Sequence, residues 1–421
     1  MSQPSYPNSK NIVRHVMSNG IIVLLYENPH SKTVMLEGSV WAGAAGETRA
    51  KAGLASMTAS SLMRGTANRS FEQIYAELEA VGATVGFASG YQTTEFSADS
   101  LTEDLDLVLD IAVDCLRNPI FPEAEIEKVR AEKMTRLYMR QNDTGSMAQL
   151  NFRKTLFNNH PYGQSVTGYL DSAQAIHRDN LAEFASANYA PNDAIVVLVG
   201  NVKPDVAIAK LEAALGDWEN PTYQRPAGIP DMARPAETVR VHHALADKTQ
   251  ADLVFGLPGP RRSEPDYMDA RLANNILGIF GMMGRLGANV RVKQGLAYYA
   301  RSVISGGLGP SPWYVSTGVS PDKVEQALVS SQDEIRRMQN ELVSAEELAD
   351  TQAYLTGSVP MTLESNVGIA GTLFNMELYG LGLDYLLNYN EMVNAVTRER
   401  IQAAAQKHFS ADQVVVSVAG P

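Results

Sequence analysis

Cysteine is almost missing: Cys115 is the single one in 421 residues. One thiol excludes an intrachain disulfide and any cysteine-built zinc module. It lies in LDLVLDIAVDCL, where it reads as a small apolar core residue of a helix rather than a reactive thiol. Histidine is scarce as well, with seven in all, at 15, 30, 160, 177, 242, 243 and 408. No two are spaced i, i+4, the spacing by which one helix offers two imidazoles to one metal ion. His242 and His243 are adjacent on what reads as a strand and should face opposite sides. Long apolar runs are lacking. None approaches the roughly 20 residues of a membrane span, and AIVVLVG at 194–200 reads as a buried strand. Basic residues are outnumbered, 35 Lys+Arg against 47 Asp+Glu, for a formal charge of -12. That balance argues against nucleic acid or an anionic membrane as a partner. The acidic ridge Asp106, Asp110 and Asp114 reads as a solvated helix face rather than a metal site. Walker loops, cofactor fingerprints and a Ser-His-Asp order are missing too. MSQPSYPNSK at the start has no apolar h-region. As written the chain therefore reads as cytoplasmic, or periplasmic if a signal peptide has been removed.

What is there is a large apolar content, 45%, in a chain too long for one ordinary core. The first half reads as strands at 21–26 and 33–43, helices at 53–64 and 71–81, two strands within 83–101, and helices at 104–116, 123–140 and 178–187. The strand AIVVLVG closes it. The second half repeats this pattern. AIHRDNLAEFASANYAPNDAIVVLVG, from Ala175, answers AVTRERIQAAAQKHFSADQVVVSVAG, from Ala395. The offset is 220 at both ends, Ala175 to Ala395 and Gly200 to Gly420. Pro122–Ile126 answers Ser344–Leu348 at an offset of 222. Two echoes in order indicate a tandem duplication. Residues 219–236 hold four prolines and no helical or strand period, which suits a linker. The expected organisation is a domain at 1–218, a Pro-rich linker at 219–236 and a second, homologous domain at 237–421. The expected fold class is α+β, with two tandem α/β domains.

One stretch raises a question of chemistry. GLASMTASSLMRGT, residues 53–66, reads as a buried helix whose positions 56, 59 and 60 share a face yet carry only Ser, Ala and Ser. With HPYG at 160–163 and LGIFGMMGRLGANVRVKQGLAY at 277–298, the chain resembles the pitrilysin and insulinase family, in its mitochondrial-processing-peptidase-like branch. The resemblance runs from about residue 12 to the end. It implies domains built of a mainly antiparallel sheet packed with helices, arranged as a half-clamshell. Active members of that family are inverzincins, with His-x-x-Glu-His on the first helix between Gly-x-Ala and Gly-Thr. Two histidines at i and i+4 bind zinc and the glutamate polarises its water. Here Gly53, Ala55, Gly65 and Thr66 match the flanks, while the three functional positions fall on Ser56, Ala59 and Ser60. A third ligand, a glutamate from a later helix, should fall near 133–137, where the chain reads Lys-Met-Thr-Arg-Leu; Glu132 is close by.

The resemblance also implies what the second half retains. Arg291 and Tyr298 match an arginine and a tyrosine that reach toward the substrate held by the zinc-bearing half. A guanidinium can grip a carbonyl and a phenol can donate to a developing oxyanion. Gly295 reads as a helix stop. VGFAS at 85–89 falls where the family adds a peptide to a sheet edge, and without zinc it reads as ordinary edge. SGGLGP at 305–310 reads as a hairpin connection. The expectation is thus a non-catalytic subunit, inactive alone and without a cofactor of its own, that closes the peptide chamber of a homologous zinc-bearing partner. A homodimer in isolation is compatible with this. The alternative is a structural, scaffold or peptide-binding protein of the same fold.

Overall fold

The computed structural model describes residues 6–279 and 283–421. The start of the N-terminal stretch and Phe280-Gly281-Met282 of the 277–298 segment lie outside the described residues. The first half carries strands β1 Ile12–Val16, β2 Ile22–Glu27, β3 Thr33–Val40, β4 Thr84–Ser89, β5 Thr94–Leu101 and β6 Ile195–Gly200. Its helices are α1 Leu54–Ser61, α2 Phe71–Ala80, α3 Leu105–Arg117, α4 Glu123–Gln141, α5 Thr144–Leu156, α6 Leu170–Ala175, α7 Arg178–Asn188 and α8 Pro204–Leu215. The second half carries β7 Val239–Ala244, β8 Ala251–Pro258, β9 Ala297–Ile304, β10 Pro312–Val319 and β11 Val415–Gly420. Its helices are α9 Tyr267–Asn274, α10 Val324–Asn340, α11 Ala345–Thr362, α12 Asn366–Leu378, α13 Tyr385–Asn394 and α14 Arg398–His408. Residues 275–279 and 287–293 form wider, π-type turns. The fold class is α+β.

The duplication is explicit in the sheets. The first has the order β1-β2-β6-β3-β5-β4, the second β7-β11-β8-β10-β9. Apart from β1 the two map strand for strand. Each holds a single parallel pair, β2 with β6 and β7 with β11, and is otherwise antiparallel. The apolar run of β6 is buried at every position because both faces of its sheet are covered. Val196 and Leu198 join the core under α1, α2, α3, α7 and α8. Ile195, Val197 and Val199 point the other way and meet Ile369, Ala370, Leu373 and Phe374 of α12.

That last contact separates the repeats from the compact units. One unit comprises Met1–Arg136, Ser165–Ala227 and Val359–Asn388; the other comprises Leu137–Gln164, Gly228–Ser358 and Tyr389–Pro421. Helix α12 of the second half belongs to the first unit. Helix α5 of the first half belongs to the second, against β8 and β11. Their N-caps correspond across the repeat: Asp143 caps Ser146 N at 2.7 Å, and Ser365 caps Gly368 N at 3.1 Å. Each helix is pinned at its first residue. Thr144 Oγ1 donates to buried Asp252 at 2.5 Å, and Asn366 Nδ2 donates to Thr33 O at 2.8 Å and Ser31 Oγ at 2.9 Å.

Residues 219–236 contain no helix or strand. Within the second unit, HPYG holds the later part of this stretch. His160 Nδ1 accepts from Tyr162 N at 3.1 Å, so its Nε2 carries the proton and donates to Pro230 O at 3.1 Å. Tyr162 in turn accepts from Gly309 N at 3.1 Å. SGGLGP connects the antiparallel pair β9 and β10, and a Cβ on Gly309 would fall 2.4 Å from Ile229. HPYG and SGGLGP are therefore parts of one packed joint.

Candidate functional site

Helix α1 begins at Gly53, whose φ of 94° is left-handed. A side chain there would also collide with Gly168 and Thr167 at 2.9 Å. The first N–H groups of a helix have no partner within it. Here Glu47 supplies one, accepting from Gly53 N at 2.7 Å and Ala55 N at 2.6 Å. Burial pushes the Glu47 carboxyl up to about 7, although those N–H groups and the nearby charge of Lys133 pull it back down. At the far end Gly65 has φ 139°, and Thr66 donates to buried Asp114 at 2.5 Å. Burial alone would raise Asp114. The hydrogen bonds from Thr66, Asn118, Asn68 and Arg69 outweigh it and hold the carboxyl below its usual range.

Of the ridge Asp106, Asp110 and Asp114, the first two lie on an exposed face and only Asp114 is buried. Arg69 pairs with Asp110 and Asp114, and Asp106 pairs with Lys210. Asp114, with Asp110 through Arg69, fixes the exit of α1. Its neighbour Cys115 is buried, its thiol pushed up to about 12 by burial and by Asp114. It is a core residue, as its pattern indicates.

Between these fixed ends the three functional positions offer no zinc site. Ala59 is buried and inert. Ser60 donates to the carbonyl of Ser56 at 2.9 Å, within its own helix. Thr58 and Ser61 turn back in the same way onto Leu54 and Met57. Ser56 accepts at 3.0 Å from the ammonium of Lys133 on α4. Glu132 does not reach α1's functional face: it pairs with Arg64 at 3.2 Å, with half its side chain exposed. Hydroxyls, a methyl and an ammonium do not fit a cation that takes thiolate, imidazole and carboxylate. The residue that sequence reasoning missed is Lys133, and the signal lay in the window 133–137, where a base stands in place of the sought acid.

Arg291 and Tyr298 lie in the second unit, either side of the stop at Gly295. That glycine has φ 61°, and the end is closed by Gly295 N to Arg291 O at 3.1 Å and Leu296 N to Val290 O at 3.0 Å. Arg291 lies exposed in the last turn of the wide helical segment Gly287–Lys293. Tyr298 stands on β9, the edge strand of its sheet, 58% exposed. Among the described residues neither side chain makes a hydrogen bond or ion pair. In the other sheet, β4 spans VGFAS and, among the described residues, pairs with β5 alone, so it is the edge strand.

A different cluster could not be read from spacing. Glu264, Asp266 and His408 bring three ligand-type atoms within 4.8 Å. Lys407 sits 2.7 Å from Asp266 and His408 2.8 Å from it. The carboxylates are thus met by the chain's own cation and imidazole, which tie α14 to the start of α9. No helix of the described residues is long and apolar enough to cross a membrane.

Comparison with known proteins matches this architecture. The family description "Insulinase (Peptidase family M16)" matches residues 22–169, and "Peptidase M16 inactive domain" matches residues 175–355. An uncharacterized zinc protease of Streptomyces coelicolor is 27% identical over 375 residues, 87% of this chain and 81% of that one. A Helicobacter pylori protein named as a non-peptidase homolog is 25% identical over 365 residues, 83% of each chain. A crystal structure of a peptidase M16 inactive domain from Pseudomonas fluorescens superimposes with a TM-score of 0.90 at 26% identity, covering 98% of both chains. With its two halves matched in order by the two family descriptions, the chain belongs to the insulinase, or M16, peptidase family.

Proposed function

We propose that this chain is the non-catalytic subunit of a heterodimeric zinc metallopeptidase. A homologous partner carries the intact zinc helix. This chain closes the peptide chamber and contributes Arg291 and Tyr298 to the substrate. The observation that carries the reading is a contrast. Helix α1 carries Ser, Ala and Ser at positions 56, 59 and 60, whereas Arg291 and Tyr298 are exposed and make no hydrogen bond or ion pair among the described residues. The name of the Helicobacter pylori relative, a non-peptidase homolog, supports the same reading. On this reading the chain binds no zinc and cleaves nothing alone.

The test is to measure zinc content and oligopeptide cleavage for this chain, for a zinc-bearing homologue from the same genome, and for their mixture. Cleavage is expected from the mixture at a rate well above the homologue alone. Stoichiometric zinc and cleavage by this chain alone would sink the proposal. A second reading, a scaffold or peptide-binding protein, is favoured by the edge strand β4, where an extended peptide could add as a strand. Arg291→Ala combined with Tyr298→Phe separates the two: unchanged cleavage in an intact mixed assembly identifies a scaffold.

A further inference from the structure

Beside α1 stands a buried positive charge that belongs to the chain. Lys133 is 7% exposed, so its ammonium has left bulk water and must be met by polar groups. Its Nζ donates to Ser56 Oγ at 3.0 Å, and its charge is felt by the carboxyl of Glu47. Glu47 itself is anchored on the N–H groups of Gly53 and Ala55. The adjacent acid, Glu132, is turned outward to Arg64 and does not enter this arrangement. Of the three functional positions, Ser56 is therefore tied up by a cation that reaches it from α4.

We infer that Lys133 is a built-in cation that keeps this face of α1 free of metal. Its ammonium stands beside Ser56, where an incoming ion would need a free ligand, and a second cation next to a buried ammonium is repelled. Loss of the zinc ligands and gain of the ammonium are then two parts of one replacement. Supplying ligands without removing the ammonium does not restore a metal site. This inference rests on the reading of α1 as a former zinc helix. It does not depend on any partner, because every measurement uses the full-length chain alone.

The experiment compares two folded variants, checked by circular dichroism, by equilibrium dialysis against zinc. One carries Ser56→His, Ala59→Glu and Ser60→His. The other adds Lys133→Met, which removes the ammonium without supplying a ligand. The first is expected to bind at least ten-fold more weakly than the second, and the second to bind close to one zinc per chain. Stoichiometric zinc in the first variant would overturn the inference, and so would none in the second. If either variant fails to fold, a double-mutant cycle of Ser56→Ala and Lys133→Met decides. Thermal shifts that are less than additive support the Lys133–Ser56 link, since both changes remove the same bond. Additive shifts refute it.

Discussion

Glu47→Gln should change the pH dependence of stability in a defined window. The carboxyl of Glu47 bridges two N–H groups at the start of α1. Burial raises it from 4.5 to about 7 in the folded chain. A group raised on folding binds its proton more tightly in the native state. Its contribution is therefore complete below the unfolded value and is lost as pH rises through the folded value. The difference between 4.5 and about 7, at roughly 1.4 kcal/mol per pH unit, corresponds to about 3 kcal/mol. Wild type should lose this amount relative to Glu47→Gln between about pH 5 and pH 8. Gln keeps one acceptor oxygen, so it retains part of the cap with no titration. Urea denaturation followed by tryptophan fluorescence, for both proteins across that range, measures the difference. A gap that stays constant from pH 5 to 8 would refute the claim that burial governs Glu47.

Leu373 is fully buried on α12, the helix that the second half contributes to the first sheet. Leu373→Ala should cost about 2–5 kcal/mol, read as a lowered denaturation midpoint. Thr144→Val removes the bond to Asp252 at 2.5 Å, which leaves that buried carboxylate with Tyr299 and Gln250. A loss of about 1–3 kcal/mol is expected, whereas Thr144→Ser should recover most of it. Residues 1–218 expressed alone lack α12, so the face bearing Leu24, Met35 and Val197 is bare. That piece should aggregate, and co-expression with 219–421 should rescue it; soluble, cooperatively folding 1–218 would contradict the packing. Cys115 should resist a thiol reagent in the native chain and react only on unfolding, because burial holds its thiol protonated.

How legible the fold was depended on how local each element's reasons are. The strand IVVLVG and the capped helix Phe71–Ala80 carry their own signals, a continuous apolar run and a Ser70–Gln73 capping box. Helix α5 has only a sparse stripe, Met147, Ala148, Phe152 and Leu156, along TGSMAQLNFRKTL. It is helical because the second sheet covers it, and that sheet begins about a hundred residues later. The strand β1 was equally obscure, since it is short and mostly exposed and exists by pairing with β2. The repeat at an offset of 220 was legible, but a repeat records ancestry and not which sheet each helix packs on. That distinction decides the units. At the site, the sequence carries Ser, Ala and Ser at positions 56, 59 and 60, whereas Lys133 meeting Ser56 across 77 residues of chain could not be read from it.

The survival of the motif's frame without its chemistry has a physical cause. Gly53 is fixed by its left-handed backbone and by the close passage of Gly168, neither of which involves a metal. The N-terminal amides of α1 are held by Glu47, and the exit is held through Thr66 on Asp114. Asp114 is in turn locked by Arg69 and two asparagines. Each of these contacts would cost stability to remove. The functional face has no comparable duty. Ser56 and Ser60 satisfy themselves on Lys133 and on the helix backbone, and Ala59 leaves no polar group buried. Substitutions at positions 56, 59 and 60 therefore need not loosen the helix, while both ends of the same fourteen residues stay fixed.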